Sequence, residues 1–207
     1  MKKKLIIFPF NGNGIEALDC LTDHFECIGF VDDTVEKQGR RNNFGIDVFN
    51  RNAFDKYKEA LVLAVPGSPD SYLGRKQLIE DLKLPVKRFA TIIHPTAAVS
   101  AYCSIGYNVL IMECTVIKAS VKVGSHICIL PNTVIHHDSI VKDYSLIGAN
   151  VTIAGMTTIG DQCYIGSGTS VKNNITIGNK SLVGLGSNVI RNVPDNSKVA
   201  GNPAKKI

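Results

Sequence analysis

The sequence predicts a small α/β unit with a parallel sheet, followed by a parallel β-solenoid that fills the rest of the chain. Three observations carry this expectation. From Val99 to Val189 every sixth residue is Ile or Val, sixteen times without a break. The fourth residue after each of these anchors is small or β-branched, from Cys103 and Val109 to Ser187 and Val193. Residues 1–92 instead alternate short apolar runs with turn-rich and helical segments, the pattern of a Rossmann-like α/β fold.

In the N-terminal unit, Lys4 to Phe8 reads as a buried strand and Asn11-Gly12-Asn13-Gly14 as a turn. Ile15 to Thr22 reads as a short helix, and Cys27 to Val31 as a second strand ending at Asp32-Asp33. Leu61 to Val65 is a further strand, closed by Pro66-Gly67-Ser68-Pro69; Tyr72 to Leu84 has helical spacing, and Arg88 to Ile93 leads out of the unit. The domains are expected at 1–92 and 93–207.

A six-residue period matches neither a helix nor a long alternating strand, but it suits stacked coils of short strands and corners that share one core. The small residue lies two before the next anchor, so both face inward. The residue after the anchor is often glycine (Gly106, Gly124, Gly148, Gly160, Gly166, Gly178, Gly184), expected to supply unusual corner angles. Three strands and three corners make one coil of eighteen residues. No insertion breaks the register, so no lid is expected, and the chain leaves the repeat through Pro194-Asp195-Asn196-Ser197.

Charge excludes little. The chain of 207 residues has a formal charge of +5. Residues 1–92 hold fourteen Lys/Arg against thirteen Asp/Glu, and residues 93–207 nine against five. That excess can greet a polyanionic cofactor but is too small for nucleic acid. Six cysteines without a C-x-x-C pair read as free thiols of a reducing compartment. Lys2-Lys3-Lys4 before Leu5-Ile6-Ile7-Phe8 imitates a signal peptide, but Pro9 and Asn11-Gly12 stop the apolar run too early. A cytoplasmic protein without a membrane span is expected.

Candidate chemistry lies in two places. The Asn11–Gly14 turn joins a strand to a helix, where glycine lets backbone approach a phosphate. Asp32 and Asp33 close the second strand, a common place for ribose or base contacts. In the solenoid, His136-His137-Asp138 follows anchor Ile135 and so occupies an outward corner. One coil up, Ala154 stands over His136 and Gly155 over His137; the next coil brings Lys172 and Asn173, then Ile190 and Arg191. A histidine under a residue without a side chain leaves room for an extended ligand, with the Gly155 amide able to donate to an oxyanion. Histidine is the usual general base at neutral pH. A metal site is not expected: His126, His136 and His137 lack the spacing for a shared ion.

The repeat [LIV]-[GAED]-x-x-[STAV]-x resembles that of the hexapeptide-repeat acyltransferases, which implies a left-handed parallel β-helix. Five further segments resemble the sugar O-/N-acyltransferase family that includes sialic-acid O-acetyltransferase and the N-acetyltransferase of the UDP-bacillosamine pathway. They are Leu5-Ile6-Ile7-Phe8 with Gly12-Asn13-Gly14, Phe30-Val31-Asp32-Asp33, Ile92-Ile93-His94-Pro95, Val134-Ile135-His136-His137-Asp138 and Gly201-Asn202-Pro203-Ala204-Lys205. The resemblance places the catalytic histidine on His137, its acidic partner on Asp138, and the acetyl-CoA-contacting glycine on Gly155. Ala154, Lys172, Asn173, Gly184 and Lys205 complete the expected cofactor contacts, and Gly12, Asn13, Gly14, Asp32 and Asp33 the acceptor contacts. The family's loop histidine is replaced here by Asn13, and an earlier glycine by Pro9.

The function expected on this basis is N-acetylation of a nucleotide-linked amino sugar by direct transfer from acetyl-CoA, in a homotrimer whose sites lie between adjacent solenoids. O-acetylation of sialic acid and a catalytically silent scaffold are the alternatives. Since the sugar must reach His137, the small domain is expected to pack near the histidine-bearing coils.

Overall fold

The structure, a computed structural model, describes residues 2–207. It opens with β1 (Lys3–Phe8), α1 (Gly12–Glu16), β2 (Phe25–Val31), β3 (Arg40–Arg41), β4 (Asp47–Phe49), α2 (Ala53–Lys56), β5 (Leu61–Ala64) and α3 (Arg75–Glu80). The strands form one sheet in the order β3-β4-β2-β1-β5. All its pairings are parallel except the β3–β4 hairpin. Alternation along β1 sends Leu5 and Ile7 to one core and Ile6 and Phe8 to another, as a doubly covered strand requires.

The helices are shorter than the spacing predicts. The Asn11 side chain accepts the Gly14 amide at 2.8 Å, so α1 starts at Gly12 rather than Ile15. It then tightens into i→i+3 bonds from Leu18, Asp19 and Cys20 and ends. The span predicted as one helix, Tyr72 to Leu84, splits into a 3₁₀ turn at Tyr72–Gly74 and α3. The β3–β4 hairpin and α2 have too few residues to show a period in the sequence.

From Ile92 the chain winds into two-residue strands, and each of the sixteen anchors ends one of them. Pairings such as Val116↔Val134 and Ile117↔Ile135 are eighteen residues apart and parallel. Three faces result. The first carries Ile92–Ile93, Leu110–Ile111, Cys128–Ile129, Leu146–Ile147, Tyr164–Ile165 and Leu182–Val183, extended by Lys198–Ala200 and Lys205–Lys206. The second runs from Ala98–Val99 to Asn188–Val189, and the third from Ser104–Ile105 to Thr176–Ile177. Anchors and small residues fill the interior. Buried hydroxyls there donate to the next corner's carbonyls, as Thr133 does to Gly148 at 2.7 Å and Ser145 to Gly160 at 2.8 Å, which keeps them satisfied in an apolar core.

One expectation about the corners is corrected. The left-handed backbone falls three residues after the anchor, at Asn108, His126, Asp138, Tyr144, Asn150, Met156 and their equivalents, with φ between 54° and 60° at these positions. The glycines directly after the anchors lack it. Their reason is space: a Cβ on Gly106 would lie 2.5 Å from Ser125 Oγ, and one on Gly124 would strike Asp143 Oδ1. Those side chains reach down one coil to bind amides, Ser125 Oγ to Tyr107 N and Asp143 Oδ1 to Ser125 N.

The α/β unit sits on the first face. Leu5, Ile7, Phe30 and Leu63 share a core with Leu110, Met112, Cys128 and Leu146. At the seam, buried Asn108 accepts the Ala64 amide at 2.7 Å and donates to the Ala64 carbonyl at 2.8 Å, which closes the outer edge of β5 as a neighbouring strand would. All six cysteines are free. Among the described residues, no helix is long and apolar enough to cross a membrane.

Candidate active site

The corner after Ile135 joins the second face to the third. Asp138 has φ 57° there, a conformation that Asp tolerates, and its carboxylate turns back onto the preceding ring. His137 Nδ1 lies 2.7 Å from Asp138 Oδ2, and both side chains are about half exposed. That contact fixes the ring orientation and leaves Nε2 without a hydrogen-bond partner among the described residues. The ring lies directly against Gly155: a Cβ there would come within 2.8 Å of Nε2 and 2.9 Å of Cε1. His136 occupies the neighbouring column, in register between Lys118 and Ala154, and its amide donates to the Ile153 carbonyl at 2.9 Å.

The amides on this corner differ from those on the corner that faces the α/β unit. On the corner between third and first faces, the amides of Tyr107, Ser125, Asp161 and Asn179 are bound by Ser, Asp or Asn side chains from the coil above. The equivalent amides of Ala119, His137, Gly155 and Asn173 have no partner among the described residues. A row of open donors therefore runs along the His137 corner. Lys172, Asn173 and Arg191 extend the column, and Arg191 meets Lys205 and Lys206 in a cavity of about 560 Å³ at the end of the solenoid. Gly184 lies elsewhere, on the corner between first and second faces beneath Ala200. The structure thus brings His137, Asp138, Ala154, Gly155, Lys172 and Asn173 together, places Lys205 near the upper end, and leaves Gly184 apart.

The N-terminal residues gather at the strand ends of the sheet. Gly12 is open, whereas a Cβ on Gly14 would strike the Pro9 carbonyl. Asn13 donates to the Val65 and Gly67 carbonyls, at 3.5 and 3.4 Å. This turn and the loop after β5 border a cavity of about 310 Å³ whose floor is the first face, at Cys128, Leu130, Leu146, Gly148 and Tyr164. It opens where β1 meets β5, the point at which connections leave the sheet in opposite directions, the usual ligand position in open α/β sheets.

Both expected carboxylates are committed to protein partners. Asp32 is buried and accepts the Phe10 amide, the Thr34 amide and Lys37 Nζ, at 3.1, 2.9 and 3.0 Å. Burial opposes its charge, but the Thr34 amide and the Lys37 ammonium outweigh it and hold its pKa below the usual carboxylate value. Asp33 forms a two-bond pair with Arg51, at 2.7 Å each.

Two further residues, given no role in the sequence analysis, hold the seam between the α/β unit and the solenoid. Arg75 is fully buried and donates to the Pro66 and His126 carbonyls, pinning the loop after β5 to the solenoid. Burial lowers its pKa to about 10, so it stays charged at neutral pH. His126 is buried, stacked on Tyr144 at 4.7 Å, with Nδ1 accepting from Asn108 at 2.9 Å. Asn108, His126 and Tyr144 are eighteen residues apart, so the column was readable from spacing; Arg75, on a charged helix, gave no signal.

The cavity and His137 are far apart in topology. The coil carrying His137 lies at the level of Cys128 and Leu146, so the α/β unit does pack at the height of the histidine. It packs, however, on the first face, and the His137 corner joins the other two. In a three-faced prism that corner is opposite the first face.

The fold is shared with solved proteins along its whole length. The acetyltransferase domain of PglB from Neisseria gonorrhoeae, in complex with acetyl coenzyme A, is 23% identical with a TM-score of 0.85 and covers 100% of both chains. PerB from Caulobacter crescentus, in complex with CoA and GDP-perosamine, is 24% identical with a TM-score of 0.82, covering 100% of this chain and 98% of its own. WeeI from Acinetobacter baumannii AYE is 22% identical with a TM-score of 0.82 and full coverage of both. At these identities the likeness shows the fold, a left-handed β-helix with its N-terminal α/β appendage. No curated protein matches the chain significantly. The family described as the GMPPB C-terminal domain matches residues 89–198, just over half of the sequence, and the chain belongs to that family.

Proposed function

We propose that this protein is an acetyl-CoA-dependent N-acetyltransferase acting on a nucleotide-linked amino sugar. The observation that carries the reading is the His137 corner: an imidazole held by Asp138 and laid against Gly155, with Nε2 and a row of neighbouring amides unpartnered among the described residues. The ligand classes are carried over from the similar folds, acetyl coenzyme A from the PglB domain and a nucleotide sugar from PerB. The residues here suit both. The open amides and the Lys172, Arg191, Lys205 and Lys206 cations match an extended, polyphosphorylated thioester. The cavity beside Gly12, Asn13 and Gly14 suits a sugar joined to a nucleotide on a Rossmann-like unit, residues 1–92, while residues 93–207 carry the transfer site.

In this mechanism His137 Nε2 accepts a proton from the acceptor amine as its nitrogen attacks the thioester carbonyl. Asp138 keeps Nδ1 protonated and the ring in place. The Gly155 N–H donates to the developing oxyanion. The C–S bond then breaks, and the proton held on Nε2 passes to the departing thiolate, giving the amide and free thiol.

The position of His137 opposite the first face supports a homotrimer. Within one chain the acceptor cavity and the histidine lie on opposite sides of the solenoid; side-by-side packing presents one chain's His137 corner to its neighbour's cavity. Thiol release measured with acetyl-CoA and a panel of UDP-, GDP- and dTDP-linked amino sugars, plus free sialic acid, tests the reading. Turnover with at least one nucleotide amino sugar is expected. Preference for free sialic acid selects O-acetylation instead, and no thiol release with any acceptor leaves a silent scaffold.

A further inference from the structure

A cavity of about 210 Å³ lies at the seam, where the segment from α3 to Phe89 meets the His126 corner of the solenoid. Glu80, Val86 and Phe89 line it from the α/β unit, and Tyr107, His126 and Tyr144 from the solenoid. None of these residues belongs to the His137 corner or to the cavity beside Gly12. An apolar space of about 150 Å³ is enough for a benzene ring, so this one has room for a ring with a substituent.

Asn108 sets the polar character of the cavity. Its Oδ1 accepts the Ala64 amide at 2.7 Å and its Nδ2 donates to the Ala64 carbonyl at 2.8 Å, so the backbone fixes which end of the side-chain amide is which. The same Nδ2 lies 2.9 Å from His126 Nδ1. With no lone pair to offer, it makes Nδ1 the acceptor. Burial, and then Arg75, hold the His126 pKa down at about 4, so the ring is neutral at pH 7 and carries its proton on Nε2. The ring is held from turning by Tyr144, stacked on it at 4.7 Å, and by Phe89 and Tyr107 packed edge to face at 5.1 and 4.9 Å. His126 is 4% exposed, and its Nε2 has no hydrogen-bond partner among the described residues. Nor is Nε2 sealed inside the protein: among the described residues, Asn42 Nδ2 is the one fully buried side-chain polar atom without a partner. The Nε2–H therefore opens on the cavity that His126 lines, a fixed donor in an aromatic pocket, where such groups are ordinarily satisfied.

The rim decides the charge of what can enter. Tyr144 Oη donates to Glu80 Oε1 at 3.2 Å, and Lys76 Nζ stands 3.8 Å from the same oxygen. The two charges balance one another and leave none over for an ionic ligand. Val86, with 57% of its surface exposed, adds uncovered apolar surface.

We infer that this cavity binds a small, neutral aromatic molecule of the phenol class, whose oxygen accepts the His126 Nε2–H and whose ring lies among Val86, Phe89 and Tyr107. Its walls come from both units, so the ligand clamps the α/β unit to the solenoid and favours the folded chain by mass action. The inference stands apart from the transfer reading and needs no substrate to test.

The full chain is titrated with phenol, toluene and benzoate, followed by the nitrogen-15 resonance of His126 Nε2 and by thermal unfolding. Phenol should bind with a Kd below about 10 mM, shift that resonance and raise Tm. Toluene should bind about tenfold more weakly, the size of one hydrogen bond to an otherwise unpaired donor, and benzoate more weakly than phenol. Val86→Trp introduces an indole at the cavity from a position that is already exposed; it should abolish phenol binding and leave the unliganded Tm near that of the parent chain. His126→Asn, which suits the φ of 60° there, removes the donor and should make phenol and toluene bind alike. Phenol that does not bind below about 10 mM, that binds no better than toluene or benzoate, that leaves the His126 resonance unmoved, or that binds Val86→Trp as it binds the parent chain overturns the inference.

Discussion

Gly155→Ala separates the chemistry of the His137 corner from its stability. Gly155 lacks a left-handed φ, so alanine can adopt its backbone, and loss of freedom in the unfolded chain should stabilise the fold by about 0.4–1 kcal/mol. The new methyl would stand 2.8 Å from His137 Nε2, 2.9 Å from Cε1 and 3.2 Å from Cδ2. The imidazole is half exposed and can retreat. To restore an ordinary 3.4 Å contact it must move by about 0.6 Å, which strains the 2.7 Å bond to Asp138 and covers Nε2 with carbon. Misplacement on the order of 1 Å costs about 100-fold in positioned reactions, so kcat should fall roughly 30- to 100-fold. Thermal unfolding should show the same Tm or a slightly higher one. The paired assay is thiol release at saturating acceptor together with a melting scan. Wild-type kcat in a folded Gly155→Ala protein refutes the idea that His137 works across the face of Gly155. A fall in both Tm and kcat shows instead that Gly155 is needed for packing.

His137→Ala should lower kcat about 100-fold or more, in line with general-base contributions, and His136→Ala much less; the reverse ranking in the same thiol-release assay would name His136 as the base. Acid should loosen the seam between the α/β unit and the solenoid. Burial, and then the neighbouring Arg75, push the His126 pKa from 6.5 down to about 4, with Asp143 opposing. The unfolded chain therefore binds the extra proton first: stability from this group is complete above pH 6.5 and is lost as pH falls toward 4. Tm should decline across that interval, and His126→Asn, which suits the φ of 60° there, should flatten that limb. The protein should scatter light as a trimer at micromolar concentration, and a fully active monomer would contradict a site completed between chains.

How much could be read from the sequence follows from what repeats. A solenoid coil sees the same environment every eighteen residues, so the demand for Ile or Val at each anchor is repeated until it stands out, and so is the vertical alignment of Gly155 over His137. The α/β unit offers no such averaging. Its strands were legible at Leu5-Ile6-Ile7 and Leu61-Val62-Leu63 because buried parallel strands are continuous apolar runs. The β3–β4 hairpin around Asn42 was not, because two-residue β3 and three-residue β4 are held by turn bonds and by neighbours rather than by pattern. Asp32 and Asp33 illustrate a different limit. Their position at a strand end was clear, but the partners that occupy them, Lys37 and Arg51, come from elsewhere on the chain. Spacing cannot reveal which carboxylates are already spoken for.

Two of the three corners of this solenoid show how one backbone supports both structure and chemistry. Each has a left-handed residue three positions after the anchor, at His126 on one and Asp138 on the other. On the His126 corner the second residue is Ser125, Asp143, Asp161 and Asn179 in successive coils, and Ser125, Asp143 and Asn179 bind the amides below them. Those bonds tie neighbouring coils together. On the His137 corner the same column reads Ala119, His137, Gly155, Asn173 and Arg191, and among the described residues no side chain binds the amides of Ala119, His137, Gly155 or Asn173. The fold tolerates the loss because the strand pairings on either side, Val134↔Thr152 and Ile140↔Thr158, continue unbroken. Unpaired amides are stable only where something polar can reach them. This corner therefore has to face either water or a ligand, while the capped corner can be buried under the α/β unit, as it is at Asn108 and His126. The choice of side chain one position past a turn thus decides which edge of a uniform prism holds the molecule together and which is free to bind.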